Sequence, residues 1–89
     1  MIKRDIKIIN KLGMHARAAA KFVHLAGRFK SKVHVIKDGQ QVDGKSILGI
    51  LMLAACQGSL ITVKVEGVDE KDAYVELETL INNKFGEEE

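Results

Sequence analysis

His15 stands in the run Gly13-Met14-His15-Ala16-Arg17, where an alternating apolar pattern gives way to a helical one. A lone imidazole just ahead of a helix is a candidate phosphoryl acceptor, because its neutral form is a nucleophile. The first N–H groups of a helix have no partner within it, and the aligned peptide dipoles place partial positive charge there. The N–H groups of Ala16 and Arg17 would meet a phosphoryl group on His15, and the Arg17 guanidinium would grip its oxygens. Gly13 allows an unusual turn or the tight approach of another protein's backbone. The competing reading of His15 is a polar turn residue without chemistry.

Other side chains offer less. His24 and His34 read as exposed polar positions, one on the first helix and one in a strand. Cys56, the sole cysteine, cannot form an internal disulfide and sits in an apolar run, so it reads as a buried thiol. There is no His/Cys spacing of a metal site and no glycine-rich phosphate loop, so neither a metal nor another cofactor is expected. Ser46 has two readings. It caps a short helix, a contribution of about 1 kcal/mol, or it takes a phosphate, placing about two negative charges beside an apolar surface.

The elements that position these residues follow from periodicity. Ile6 and Ile8 alternate with Asp5 and Lys7 in a first strand, and Asn10 to Gly13 turns the chain. Ala19, Phe22, Val23, Ala26 and Phe29 share one face of a helix that starts at Ala16 and ends near Gly27. Residues 32–37 form a second strand, Asp38-Gly39 a hairpin turn, and Gln40 to Val42 a short third strand. A helix from Ile47 to about Leu53 is apolar nearly all round, so Ile47, Leu48 and Leu51 are either an exposed docking patch or buried under a loop. In a fourth strand Ile61, Val63 and Val65 alternate with Thr62, Lys64 and Glu66. Asp69 caps a last helix with Ala73, Leu77, Leu80 and Ile81 on its buried stripe and Gly86 as its stop. The order βαββαβα, with helices on the apolar side of an alternating sheet, is a two-layer α+β sandwich.

Composition narrows the classes. Eighty-nine residues make one domain, and no apolar run approaches the roughly 20 residues of a membrane span. The start, Met1-Ile2-Lys3-Arg4-Asp5, is too charged for a signal peptide. A cytoplasmic protein without a membrane partner is expected. The net charge of +2 hides an asymmetry, with twelve Lys/Arg against three Asp/Glu through residue 65 and two against nine beyond it. Anionic partners suit the first part, unless the charge is simply a solvated face that keeps a small domain soluble. Nucleic acid does not, since aromatics amount to 4% and supply no stacking platform. The terminal Glu87-Glu88-Glu89 reads as frayed.

Gly13-Met14-His15-Ala16-Arg17-Ala18-Ala19 resembles the active-site segment of HPr, the histidine-containing phosphocarrier family of the bacterial phosphotransferase system. Lys45-Ser46-Ile47-Leu48-Gly49 resembles its regulatory serine segment, and Gln57-Gly58 and Gly67 to Glu70 also match, so the resemblance covers essentially the whole chain. It implies a single HPr-like domain over residues 1–89, an open-faced β-sandwich of four antiparallel strands with three helices on one face. His15 would be phosphorylated on Nδ1 by phospho-enzyme I and would pass the group to a histidine of an enzyme IIA domain, with Arg17 binding the phosphate. Ser46 would be the site of an HPr kinase/phosphorylase, and transcriptional regulators are further partners. Ile47, Leu48 and Leu51, with Lys21, fall where the family docks its partners. The chain would act as a monomer and a stoichiometric carrier, not an enzyme, in sugar uptake or a regulatory relay. One departure stands out: Ala18 occupies the position after the arginine where the family usually has proline.

Overall fold

Along Leu60–Glu66 (β4) every second residue turns inward: Ile61, Val63 and Val65 are fully buried, the period of two that a pleated strand imposes. A computed structural model describes residues 1–88 of the chain. In it β4 pairs antiparallel with Ile2–Lys7 (β1), setting Ile6 opposite Ile61, and with Lys32–Lys37 (β2), setting Val35 opposite Val63. Gln40–Asp43 (β3) follows β2 through Asp38 and Gly39, whose φ values of 50° and 80° give the doubly left-handed turn that suits strand twist. The sheet order is β1-β4-β2-β3, with all neighbours antiparallel.

Three helices cover the apolar face. Ala16–Ala26 (α1) buries Ala18, Ala19, Phe22 and Ala26, and Glu70–Asn82 (α3) buries Ala73, Tyr74, Leu77 and Ile81. The shorter Ile47–Met52 (α2) buries only Ile50. Fully burying a side chain such as Phe22, Ile61 or Leu77 contributes about 1.5–3 kcal/mol, so this interlayer core dominates the stability of the fold. The architecture is the expected open-faced sandwich in the order βαββαβα. No helix among the described residues is long and apolar enough to cross a membrane.

Four local expectations fail, each for a tertiary reason. The last helix ends at Asn82, not at Gly86; the chain then makes a tight turn over Lys84–Gly86 that drives Phe85 into the core. Asp69 does occupy the start of α3, yet its carboxylate makes no capping bond there. It accepts instead from the backbone N–H groups of Lys30 (2.8 Å) and Ser31 (2.9 Å) and from the Ser31 hydroxyl, clamping the turn before β2. Cys56 is exposed rather than buried. Leu53 and Ala55 take the inward positions after α2, leaving Cys56 on a turn where its N–H meets Ser59 Oγ at 3.0 Å. The acidic end is not frayed at Glu87, which is half-buried and bonded; Glu89 lies outside the described residues.

Candidate functional site around His15

The loop ahead of α1 is built to hold one residue in place. Asn10 is fully buried and donates its amide to the Gly13 carbonyl at 2.8 Å, while Gly13 N–H returns a bond to the Asn10 carbonyl at 3.2 Å. Met14 is buried and its N–H meets the Ala55 carbonyl at 2.8 Å. Gly13 has φ +68°, and a Cβ there would stand 2.6 Å from the Ala55 oxygen and 2.8 Å from the Cys56 Cα. Only glycine satisfies both the left-handed backbone and that contact. The loop is thereby pinned against the segment after α2.

His15 is the N-cap of α1, with extended backbone at φ −75° and ψ 179°. Its carbonyl accepts from Ala19 N–H at 2.8 Å, the first turn of the helix. Its ring does what a capping side chain does: Nδ1 accepts from the Arg17 N–H at 3.3 Å. Nδ1 therefore carries a lone pair and Nε2 carries the ring proton, which it donates to the Glu87 carboxylate. About 27% of the His15 side chain remains exposed, enough for a partner to reach it.

No acidic residue lies in the first turn of α1, so the positive end of the helix dipole is uncompensated within the helix. The Ala16 N–H has no partner among the described residues, and the exposed Arg17 guanidinium makes no hydrogen bond or ion pair among them. Arg17 and Lys21 share a shallow groove with His24, Arg28, Leu25 and Leu80. The groove has a basic rim and an apolar floor.

Glu87 and Asn10 join this site without a sequence motif that marks them. Glu87 Oε1 accepts from Asn10 Nδ2 at 2.9 Å while its other oxygen takes the His15 ring. Donation from His15 first, and from Asn10 second, holds the Glu87 carboxyl below its ordinary range against the opposing effect of burial. The tail reaches this position because Lys84, Phe85 and Gly86 are all left-handed, at φ 57°, 55° and 79°. Phe85 is fully buried, and Lys21 Nζ donates to its carbonyl at 2.6 Å. No local signal in three consecutive glutamates marks the first of them as different.

The second candidate segment lies at α2. Ser46 is its N-cap, and its hydroxyl accepts from Gly49 N–H at 3.1 Å. Ile47, Leu48 and Leu51 are exposed at 44%, 70% and 36%, so the loop-burial reading fails. Met52 and, in the His15 loop, Leu12 are also exposed large apolar side chains. Among the described residues no group of three His, Cys, Asp or Glu side chains could hold a metal ion.

Residues 2–83 match the family described as the PTS HPr component phosphorylation site. A phosphocarrier protein HPr of Cupriavidus necator is 54% identical over 89 residues, covering all of both chains. One from Neisseria meningitidis serogroup B is 52% identical with the same full coverage. The crystal structure of HPr-C-His from Thermoanaerobacter tengcongensis superposes with a TM-score of 0.96 at 46% identity, again over the whole of both chains. Fold, sequence and the strand-to-helix histidine agree, and the chain belongs to the HPr family, the phosphocarriers of the phosphotransferase system.

Proposed function

We propose that this chain, acting as one domain, accepts a phosphoryl group on His15 Nδ1 from phospho-enzyme I and passes it to a histidine of an enzyme IIA domain. The observation that carries this reading is the orientation of the imidazole. Its unprotonated Nδ1 is turned toward the Arg17 N–H, at the positive end of α1, with the ring partly open to solvent. In the acceptor step the Nδ1 lone pair attacks phosphorus, the bond to the donor nitrogen breaks, and that electron pair returns to the donor ring. The Ala16 and Arg17 N–H groups and the Arg17 guanidinium then stabilise the phosphoryl oxygens, so the protein contributes positioning and charge compensation. The carrier is consumed and regenerated one phosphoryl group at a time.

Docking in this reading uses the exposed Ile47, Leu48 and Leu51, with Lys21 meeting an acidic partner surface. Phosphorylation of Ser46 by an HPr kinase/phosphorylase would set a dianion at the edge of that apolar patch and weaken docking by desolvation cost and repulsion. Intact-mass analysis after incubation with enzyme I, phosphoenolpyruvate and Mg²⁺ tests the reading against a His15→Ala control. The expected result is one acid-labile phosphoryl adduct on the native chain and none on the variant. A folded native chain that takes no adduct from active enzyme I would favour an alternative, a regulatory binding protein controlled by Ser46 phosphorylation with little carrier activity.

A further inference from the structure

We propose that Glu87 is a positioning residue that keeps the proton on His15 Nε2 throughout phosphoryl transfer, so that His15 accepts and releases the group without any proton transfer. The inference rests on His15 as the phosphoryl site. Neutral His15 with its hydrogen on Nε2 has a lone pair only on Nδ1. When Nδ1 bonds to phosphorus the ring becomes a cation, and the carboxylate already bonded to Nε2 balances that charge. When the Nδ1–P bond later breaks, its electron pair returns to Nδ1 and the phosphorus bonds to the acceptor nitrogen or to water. The leaving group is then a neutral imidazole with its hydrogen still on Nε2. Without the carboxylate the phosphorylated ring would lose that hydrogen more readily and would have to depart as imidazolate, a much poorer leaving group.

The clasp is constructed rather than incidental. Asn10, fully buried, donates to the second Glu87 oxygen, and the left-handed run 84–86 with the buried Phe85 and its Lys21 bond aims the tail. Donation from His15, and then from Asn10, holds the carboxyl below its ordinary range and so favours its ionised form. The charged groups around it are Lys21 from α1, Glu76 from α3, Lys11 from the preceding loop and Glu88 in the tail. Arg17 acts on the opposite, Nδ1 side of the ring.

The test is the hydrolysis rate of phosphorylated His15 from acid to alkaline pH, after charging by enzyme I and phosphoenolpyruvate, for native protein, Glu87→Gln and Glu87→Ala. Glu87→Gln keeps the size and an acceptor for Asn10 but removes the charge. Both variants should lose lability at lower pH than the native chain and hydrolyse about tenfold more slowly near neutrality, the effect of roughly one unit in the retained proton. Superimposable profiles for the three proteins would overturn the role of Glu87 while leaving His15 as the carrier site. A Glu87→Gln profile identical to native, with only Glu87→Ala altered, would overturn it too, because packing alone would then explain the tail. Failure of the native chain to form any adduct on His15 would overturn both this role and the reading beneath it.

Discussion

Asn10 and Glu87 are 77 residues apart in sequence and joined by a 2.9 Å hydrogen bond, and the same Asn10 amide group holds the Gly13 carbonyl at 2.8 Å. One buried side chain thus fixes both the loop that presents His15 and the tail that meets its ring. Turning the amide over would put its oxygen against a carbonyl and a carboxylate, so the two donations also set its orientation.

Replacing Asn10 by Ala removes two donations at a buried position. The Gly13 carbonyl and one Glu87 oxygen lose their protein partner, and the expected destabilisation is about 1–3 kcal/mol. Urea unfolding of Asn10→Ala measures it. A midpoint unchanged from the native chain would show that water replaces Asn10 without loss.

Gly13→Ala is expected to cost more than an ordinary loop substitution. The new Cβ would lie 2.6 Å from a backbone oxygen, where no side-chain rotation relieves the clash, and the left-handed φ adds strain of about 1–2 kcal/mol. Loss of stability should come with slower phosphorylation, because the loop must shift off Ala55 and carry His15 with it. The two are separated by assaying the variant well below its unfolding midpoint. Native transfer rates there would mean that the loop position does not matter to the chemistry.

The Glu87 contact also predicts a pH dependence of stability. Its carboxyl is held below the ordinary value of 4.5 in the folded chain, so the unfolded chain binds a proton first as pH falls. The stabilising contribution is therefore fully present above that ordinary value and disappears as pH drops through the lowered folded one. Thermal midpoints of native protein and Glu87→Gln should differ at neutral pH and converge in acid. Parallel curves across that range would mean that the ionised form is not what the fold prefers.

Periodicity explains why so much of this arrangement was legible in the chain. Ile61, Val63 and Val65, or Ala19, Phe22 and Ala26, declare their element through neighbours two to four positions away, and capping by Ser46 needs only the next three residues. The position of His15 at the start of α1 is local in the same sense. The side-chain partners of Asp69, the exposure of Cys56 and the placement of Glu87 escape such a reading because their surroundings come from elsewhere. Asp69 finds better donors at Lys30 and Ser31 than at its own helix. Cys56 lies exposed on a turn because Leu53 and Ala55 take the inward positions. Glu87 depends on a reversal of the chain at Lys84 and Phe85, two residue types that composition does not associate with left-handed backbone.

Ala18 predicts a gain when changed. It is the third residue of α1, inside the first turn, where a missing N–H costs no intrahelical bond. Ala18→Pro, which reinstates the residue usual in the family, should stabilise the fold by about 0.4–1 kcal/mol by restricting the unfolded chain. Because Ala18 is fully buried, the ring must also fit against the core. A lowered melting temperature would show that the packing around this position has adapted to alanine.

Ser46 separates capping from docking. Ser46→Ala deletes the bond to Gly49 N–H and should cost about 1 kcal/mol, read as a lower melting temperature with little change in affinity for enzyme I. Ser46→Asp behaves in the opposite sense. Aspartate caps a helix as well as serine and its charge suits the helix N-terminus, so stability should be kept. The same charge lies next to Ile47 and Leu48, and binding to enzyme I should weaken several-fold, mostly through faster dissociation. If both variants bind enzyme I like the native chain while His15 is still charged, the α2 surface is not the docking face and the basic groove of Arg17 and Lys21 must serve alone.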